Sequence, residues 1–200
     1  MVKYFHFHNT NVGSERHFDE ALQSYQCNHI KQNNGERCKK RCLIGLRKCW
    51  IHLQSEHGVR IRNAGPLGQG LFASDGTNVD NIVFRKGDYI LSYDGGERLT
   101  EAEIDARYGA QNSAPYTMRL PNGEFEDCAI RRCAASLINS SRGVENARNN
   151  CVFVPSPDNT EVYVVCTRNI RNGKQLFANY GNQYQFNEIN VQTSTNTRSM

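Results

Sequence analysis

The sequence predicts an α+β protein, rich in short strands, with a small cysteine-rich segment ahead of its main domain. Three observations carry this. From Gly58 onward, brief β-branched and aromatic runs alternate with breaks such as GPLGQG, SDGTN, RKGD, DGGE, LPNG, PSPDN and IRNGK, the pattern of strands separated by turns. One stretch among them, TEAEIDARYG, has the start and stop signals of a helix. Four of the eight cysteines (Cys27, Cys38, Cys42 and Cys49) crowd into one short basic segment.

The 200 residues suit one ordinary domain, or one domain with an appendage. No apolar run approaches the roughly 18 residues of a membrane span, and MVKYFHFHNTNVG lacks the pattern of a secretory signal. The expectation is a soluble intracellular protein with no membrane role. In a reducing compartment the clustered cysteines point to a metal. The scattered Cys128, Cys133, Cys151 and Cys166 point to buried thiols rather than disulfides.

Residues 1–22 read as an arm, aromatic-rich through Tyr4, Phe5, Phe7 and Phe18. Residues 23–57 read as a zinc-binding module. Cys27, Cys38 and Cys49 are evenly spaced, and Cys49-x-x-His52 places two ligands at i,i+3, where one helical turn can aim both at a single ion. Three thiolates and an imidazole make a closed tetrahedral zinc site of the structural kind. Cys42 can replace Cys38 in this set, and His29 or His57 can replace His52. Lys31, Arg37, Lys39, Lys40, Arg41, Arg47 and Lys48 surround the ligands. They read either as a contact for nucleic acid or an acidic partner, or as the solvated surface of a fold too small to stand without metal.

The predicted strands follow in order: VRIR at 59–62, GLFAS at 70–74, IVF at 82–84, DYILSY at 88–93, YTMRL at 116–120, CVFVP at 151–155 and EVYVVCTR at 161–168. Thr100 with Glu103 three positions on forms a capping box, and Gly109 ends that helix. A second short helix is expected around 129–137. The Asn- and Ser-rich run INSSRGVENARNNC reads as a loop, because such side chains bond their own backbone. The G-x-G of residues 68–70 is followed by another strand-like run, so a dinucleotide-binding helix is not expected.

Taken together and in order, GPLGQGLFAS, the strand ending YDGGE, the TEAEIDARYG helix, YTMRLPNGEFEDC, SLINSSRGVENARNNC and VYVVCTRNIRNGKQLFANYGNQY resemble the SET domain of protein lysine methyltransferases. The resemblance spans residues 58–187 and leaves 188–200 as a polar tail. It implies several short sheets with a knot-like threading of the chain's end. It implies S-adenosylmethionine as cofactor, with Gly68 and Gly70 against its methionine part. Tyr93 matches the tyrosine of a Y-x-G-E-like element, also expected at the cofactor. Asn139 and Ser140 would hold the amine and adenine, and Tyr184 and Phe186 would cover the adenine. Tyr180 is then the expected catalytic tyrosine, and Tyr116 the expected wall of the lysine channel.

The sequence departs from the family pattern at three places. Ser140 and Arg142 stand where the family has histidine and cysteine, no Cys-x-Cys follows Tyr180, and Ala178 stands where Phe or Tyr is common, which leaves room for a methylated amine. The compact form resembles viral or bacterial effector versions, and RCKKRC…CWIH resembles short zinc modules of large DNA viruses and bacteria. The implied activity is methylation of histone or other basic tails in a nucleus or host nucleus, with Glu124, Glu126 and Asp127 as the acids that would attract such tails and a structural role as the alternative for Asp127. The other class of reading is an inactive SET-like module that binds chromatin or nucleic acid through the zinc segment. Substrate lysine, methyl number and oligomeric state are not fixed by these residues.

Overall fold

The computed structural model describes residues 3–7, 16–22, 24–43, 45–109, 114 and 116–181, the first two stretches as backbone alone. Within the expected N-terminal arm, Lys3–Phe7 (β1) and Arg16–Leu22 (β2) pair as an antiparallel hairpin with a register shift between Tyr4 and Phe5.

The cysteine segment has little regular structure. Residues 25–31 and 36–42 lie antiparallel, tied by Cys42 N–H to Tyr25 O at 2.8 Å, Cys27 N–H to Lys40 O at 2.9 Å and Cys38 N–H to His29 O at 2.8 Å. Helix α1 (Trp50–His57) follows and ends at Gly58, whose φ of 62° and bond to Gln54 O form a left-handed cap.

The main domain is a set of small antiparallel sheets. Val59–Asn63 (β3) and Gln69–Ala73 (β4) form a hairpin closed by a 3-10 turn at Gly65–Leu67. Ile82–Phe84 (β5) later pairs with Ile170–Arg171 (β12), and Tyr89–Ser92 (β6) flanks a three-stranded sheet. That sheet has the order β10-β11-β6, with β10 at Cys151–Pro155 and β11 at Val162–Cys166. Glu97–Leu99 (β7), Thr117–Arg119 (β8) and Phe125–Asp127 (β9) make the other, in the order β7-β9-β8. Along β11 the side chains of Val162, Val164 and Cys166 point into the core while Tyr163 and Val165 face outward, the period-2 signature that made this strand legible. Leu71, Ile138, Ile170 and Leu176 are among the core's fully buried side chains, each stabilising by about 1.5–3 kcal/mol.

Helix α2 (Glu101–Tyr108) has the expected capping box: Glu103 N–H donates to Thr100 Oγ1 at 3.3 Å, and Thr100 N–H to Glu103 Oε2 at 2.8 Å. The helix expected around 129–137 is a correction. Only a 3-10 turn at Ala135–Leu137 forms there. The Arg132 N–H, which a continuing helix would turn toward the carbonyl four residues back, is taken instead by Gly45 O at 3.0 Å.

The closing segment, 173–178, is held from two sides. Leu176 N–H donates to Leu71 O at 2.8 Å on β4. On the other side Ala178 N–H donates to Asn139 O at 3.0 Å, and Cys151 N–H to Phe177 O at 2.9 Å. The Asn-rich loop therefore folds around the chain's own later segment. Asn150 completes the wrap, accepting from Phe177 N–H at 2.8 Å and donating to Gln175 O at 2.8 Å.

Candidate functional site

Two constellations stand out. In the first, the antiparallel pieces bring Cys27 and Cys38 together, and the N-terminal turn of α1 adds Cys49 and His52. The four ligand atoms lie within 4.8 Å of one another, with the three cysteines buried. His52 Nδ1 is 3.2 Å from Cys27 Sγ and 3.3 Å from Cys49 Sγ. Burial works against a thiolate at Cys27, but the backbone N–H groups of Cys49 and His29 pull its pKa down. A soft, closed set of three sulfurs and one imidazole nitrogen fits zinc.

Cys42 is buried beside this set. Its thiol is pushed up to about 12 by burial and by the negative charge of Cys27, Cys49 and Cys38. His29 stacks on His52, with ring centroids 3.7 Å apart, and its Nδ1 lies 2.5 Å from Glu56 Oε1. His29, His52 and Glu56 also lie within 4.8 Å of one another, but the Lys48 ammonium already sits on Glu56. His57 is not part of either group: burial lowers its pKa, and its neighbours are Lys48, Glu56, the Ile90 backbone and Asp94.

Much of the basic character of the segment is structural. Arg37 Nε donates to Cys27 O at 2.8 Å, Arg41 Nη1 donates to Ser24 O at 2.8 Å, and Arg47 lies 4.1 Å over the Tyr25 ring. Lys39 and Lys40 are exposed and have no ion-pair partner among the described residues.

The second constellation forms where β4, the loop at 138–141 and the closing segment meet. Gly68 has φ 76° and ψ −119°, a conformation essentially restricted to glycine, and closes the turn by accepting Ala64 N–H at 2.7 Å. Gly70 is required for a different reason. A Cβ there would stand 2.5 Å from Gln175 Nε2, 3.0 Å from Ala64 Cβ and 3.1 Å from Asn139 Nδ2. Asn139 Nδ2 donates to Gln69 O at 3.0 Å, and its Oδ1 takes no donor among the described residues. Ser140 is buried and its Oγ accepts Arg142 N–H at 3.2 Å, so the side chain shapes the loop.

Three tyrosines gather beside it. Tyr180 donates its hydroxyl to Ile138 O at 2.7 Å. Tyr93 is buried, and its hydroxyl donates to Tyr116 O at 2.6 Å. Burial, then the negative charge of Cys128, Cys133, Tyr180 and Asp127, drive the Tyr93 pKa far upward, so it stays a neutral donor. Tyr116 has φ 62°, rare for a bulky side chain, and Arg132 stands 4.7 Å over its ring. Tyr184 and Phe186 lie outside the described residues.

Two expectations change. Glu126 and Asp127 do not present their charge to a substrate, because both are buried. Asp127 Oδ2 accepts Arg107 Nη1 at 2.7 Å and the Tyr108 hydroxyl at 2.8 Å, while Glu126 Oε1 accepts Gly96 N–H at 2.5 Å. Of the three acids only Glu124 is exposed. Ala178 is 0% exposed, so its methyl is packed away and does not line an open channel. Sequence reasoning also passed over Asn150 and Gln175. The short polar side chain of Asn150 in a loop was a signal; nothing local marks Gln175.

The residues present fit S-adenosylmethionine at its charged end: Asn139 Oδ1, which takes no donor among the described residues, is available for a cationic amine, and Gly70 leaves room for Asn139 and Gln175 to pack against β4. A family model described as the SET domain matches residues 68–181, more than half of the chain. No curated protein matches. Similar solved chains include one in a structure of ctPRC2 in complex with H3K27me3 and H3K27M, at 22% identity and a TM-score of 0.48 over 62% of this chain and 14% of that one. Another belongs to ctPRC2 in an autoinhibited conformation bound to S-adenosylmethionine, at 22% identity and a TM-score of 0.49 over 64% of this chain and 16% of that one. This chain thus spans a small fraction of those proteins.

Proposed function

The chain belongs to the SET-domain family of protein lysine methyltransferases, and from that premise we propose that it is an S-adenosylmethionine-dependent protein lysine N-methyltransferase acting on histone or other basic protein tails, in a nucleus or host nucleus. The observation that carries this reading is the meeting of Gly70, Asn139 and Tyr180 around the closing segment, with Tyr116 held beside them.

When bound, S-adenosylmethionine supplies an electrophilic methyl on a positively charged sulfonium. The chain's part is to present a neutral amine. Free lysine titrates near 10.4, and a narrow, dry setting favours the uncharged form. Tyr116 and Tyr180 wall that setting. The Tyr180 hydroxyl, fixed on Ile138 O, aligns the amine, and backbone carbonyls such as this one accept weak C–H···O contacts. Residues 68–181 contain no histidine, so the amine proton leaves through water. Asn139 orients the cofactor amine through Oδ1. Cys27, Cys38, Cys49 and His52 would hold a structural zinc, giving domains at 23–57 and 58–187.

Mass spectrometry of a histone mixture incubated with protein and cofactor tests the reading, with methylated lysine as the expected result. A second reading is favoured by the exposed charge of Lys39 and Lys40, which have no ion-pair partner among the described residues: a nucleic-acid-binding module whose SET part is inert. Cofactor retained but never turned over on histones or peptide libraries would select it.

A further inference from the structure

Among the described residues, Gln175 Nε2 is a buried side-chain nitrogen with no hydrogen-bond partner. Buried polar atoms are nearly always satisfied, so an orphan at this place calls for a physical account. Its neighbours supply one. Gln175 Nε2 and Asn139 Nδ2 both crowd the point where Gly70 would carry a Cβ, at 2.5 and 3.1 Å. Two amide NH2 groups thus border the same point beside Gly70, and the Gln175 one has no acceptor among the described residues. The two ends of a carboxamide are isosteric, and the hydrogen-bond network decides which faces which. A half-turn of the Gln175 amide puts Oε1 where Nε2 stands, turning an acceptor toward the point that Asn139 Nδ2 also borders. One Asn139 Nδ2 hydrogen is already held by Gln69 O at 3.0 Å.

We propose that Gln175 is a positioning residue that locks the Asn139 carboxamide, accepting its second Nδ2 hydrogen so that Oδ1 is the only end left to face a ligand. Gln175 Nε2 is sealed from solvent, so this end of the amide faces the protein interior beside Asn139 and Gly70. The arrangement selects a cation: with both hydrogens tied back, Asn139 accepts from an ammonium and repels a carboxylate. This rests on the reading above that Asn139 meets the cofactor's amine. The backbone holds Gln175 in place through Asn150 Nδ2, which donates to its carbonyl at 2.8 Å, and through its pairing with Phe72.

The experiment is calorimetric binding of two ligands, S-adenosylhomocysteine and 5′-methylthioadenosine, the second lacking the amino-acid portion. Gln175→Met keeps the volume and removes the acceptor. It is expected to weaken S-adenosylhomocysteine about fivefold, the effect of one hydrogen bond, and to leave 5′-methylthioadenosine unchanged. Gln175→Glu keeps the acceptor and is expected to bind S-adenosylhomocysteine at least as well as wild type. Equal weakening of both ligands by Gln175→Met, or a Glu variant as weak as the Met variant, overturns the proposal. Slow hydrogen exchange at the Asn139 side-chain amide in the unliganded wild type is the expected result of a measurement that needs no variant, and fast exchange there overturns the proposal too. A wild type that binds neither ligand removes the methyltransferase reading instead.

Discussion

The Tyr93 hydroxyl donates to the Tyr116 carbonyl at 2.6 Å, and the residue it holds stands at φ 62°. Left-handed backbone at a tyrosine costs on the order of 1–3 kcal/mol and persists only where the surroundings enforce it. The Cys128 N–H, 2.9 Å from the same carbonyl, is the second enforcer. Tyr93→Phe is therefore expected to lower stability by about 1 kcal/mol and to raise KM for the protein substrate, with cofactor affinity unchanged. Thermal melts and steady-state kinetics on a basic peptide check this; a shift in cofactor affinity instead would place Tyr93 at the cofactor.

Tyr180→Phe removes the hydroxyl fixed on Ile138 O. Turnover is expected to drop roughly 10²-fold or more, the loss seen for single transition-state donors, while the cofactor still binds. A radiolabelled methyl assay reads it, and near-normal turnover would take Tyr180 out of the catalytic role.

Asn139→Ala deletes both the bond to Gln69 O and the available Oδ1. Cofactor affinity is expected to fall by about 1–2 kcal/mol, measured by calorimetry, with the larger part from the lost contact to a charged amine. Unchanged affinity would leave Asn139 a purely structural loop residue.

The cysteine segment has few buried apolar side chains of its own, Leu46 and Leu53 among them, so metal is expected to supply much of its stability. One zinc per chain by elemental analysis is expected, and a strong chelator should lower the melting temperature. Cys49→Ser and His52→Ala should each do the same. A metal-free protein with an unchanged melt would show that thiol packing suffices.

The strands that were legible in the sequence are those whose own side chains fill the core, such as Val162, Val164 and Cys166 in β11. Strands β7 and β9 were not. ERL places a half-buried acid and an exposed arginine side by side, and FED carries two acids that no local rule would bury; those two are buried with Arg98 of β7 and Arg107 and Tyr108 of α2 paired to them. The same holds at the site. Gly68, Gly70, Asn139 and Tyr180 announced themselves through ordered motifs, whereas Gln175 matters only through its distance to Gly70 and Asn139 across the fold. Glu126 looked like bait for a basic tail because charge is visible in a sequence and burial is not, while for Asp127 the structural alternative holds.

The wedging of residues 173–178 between β4 and the Asn-rich loop sets an order of events during synthesis. Gly70 and Asn139 leave the ribosome well before the segment that clamps them, and contacts between such distant stretches form slowly. The pocket of the nascent chain is therefore incomplete until this closing segment slots home, and a chain cut short before residue 178 is expected to bind no cofactor, whatever its cysteine segment has achieved.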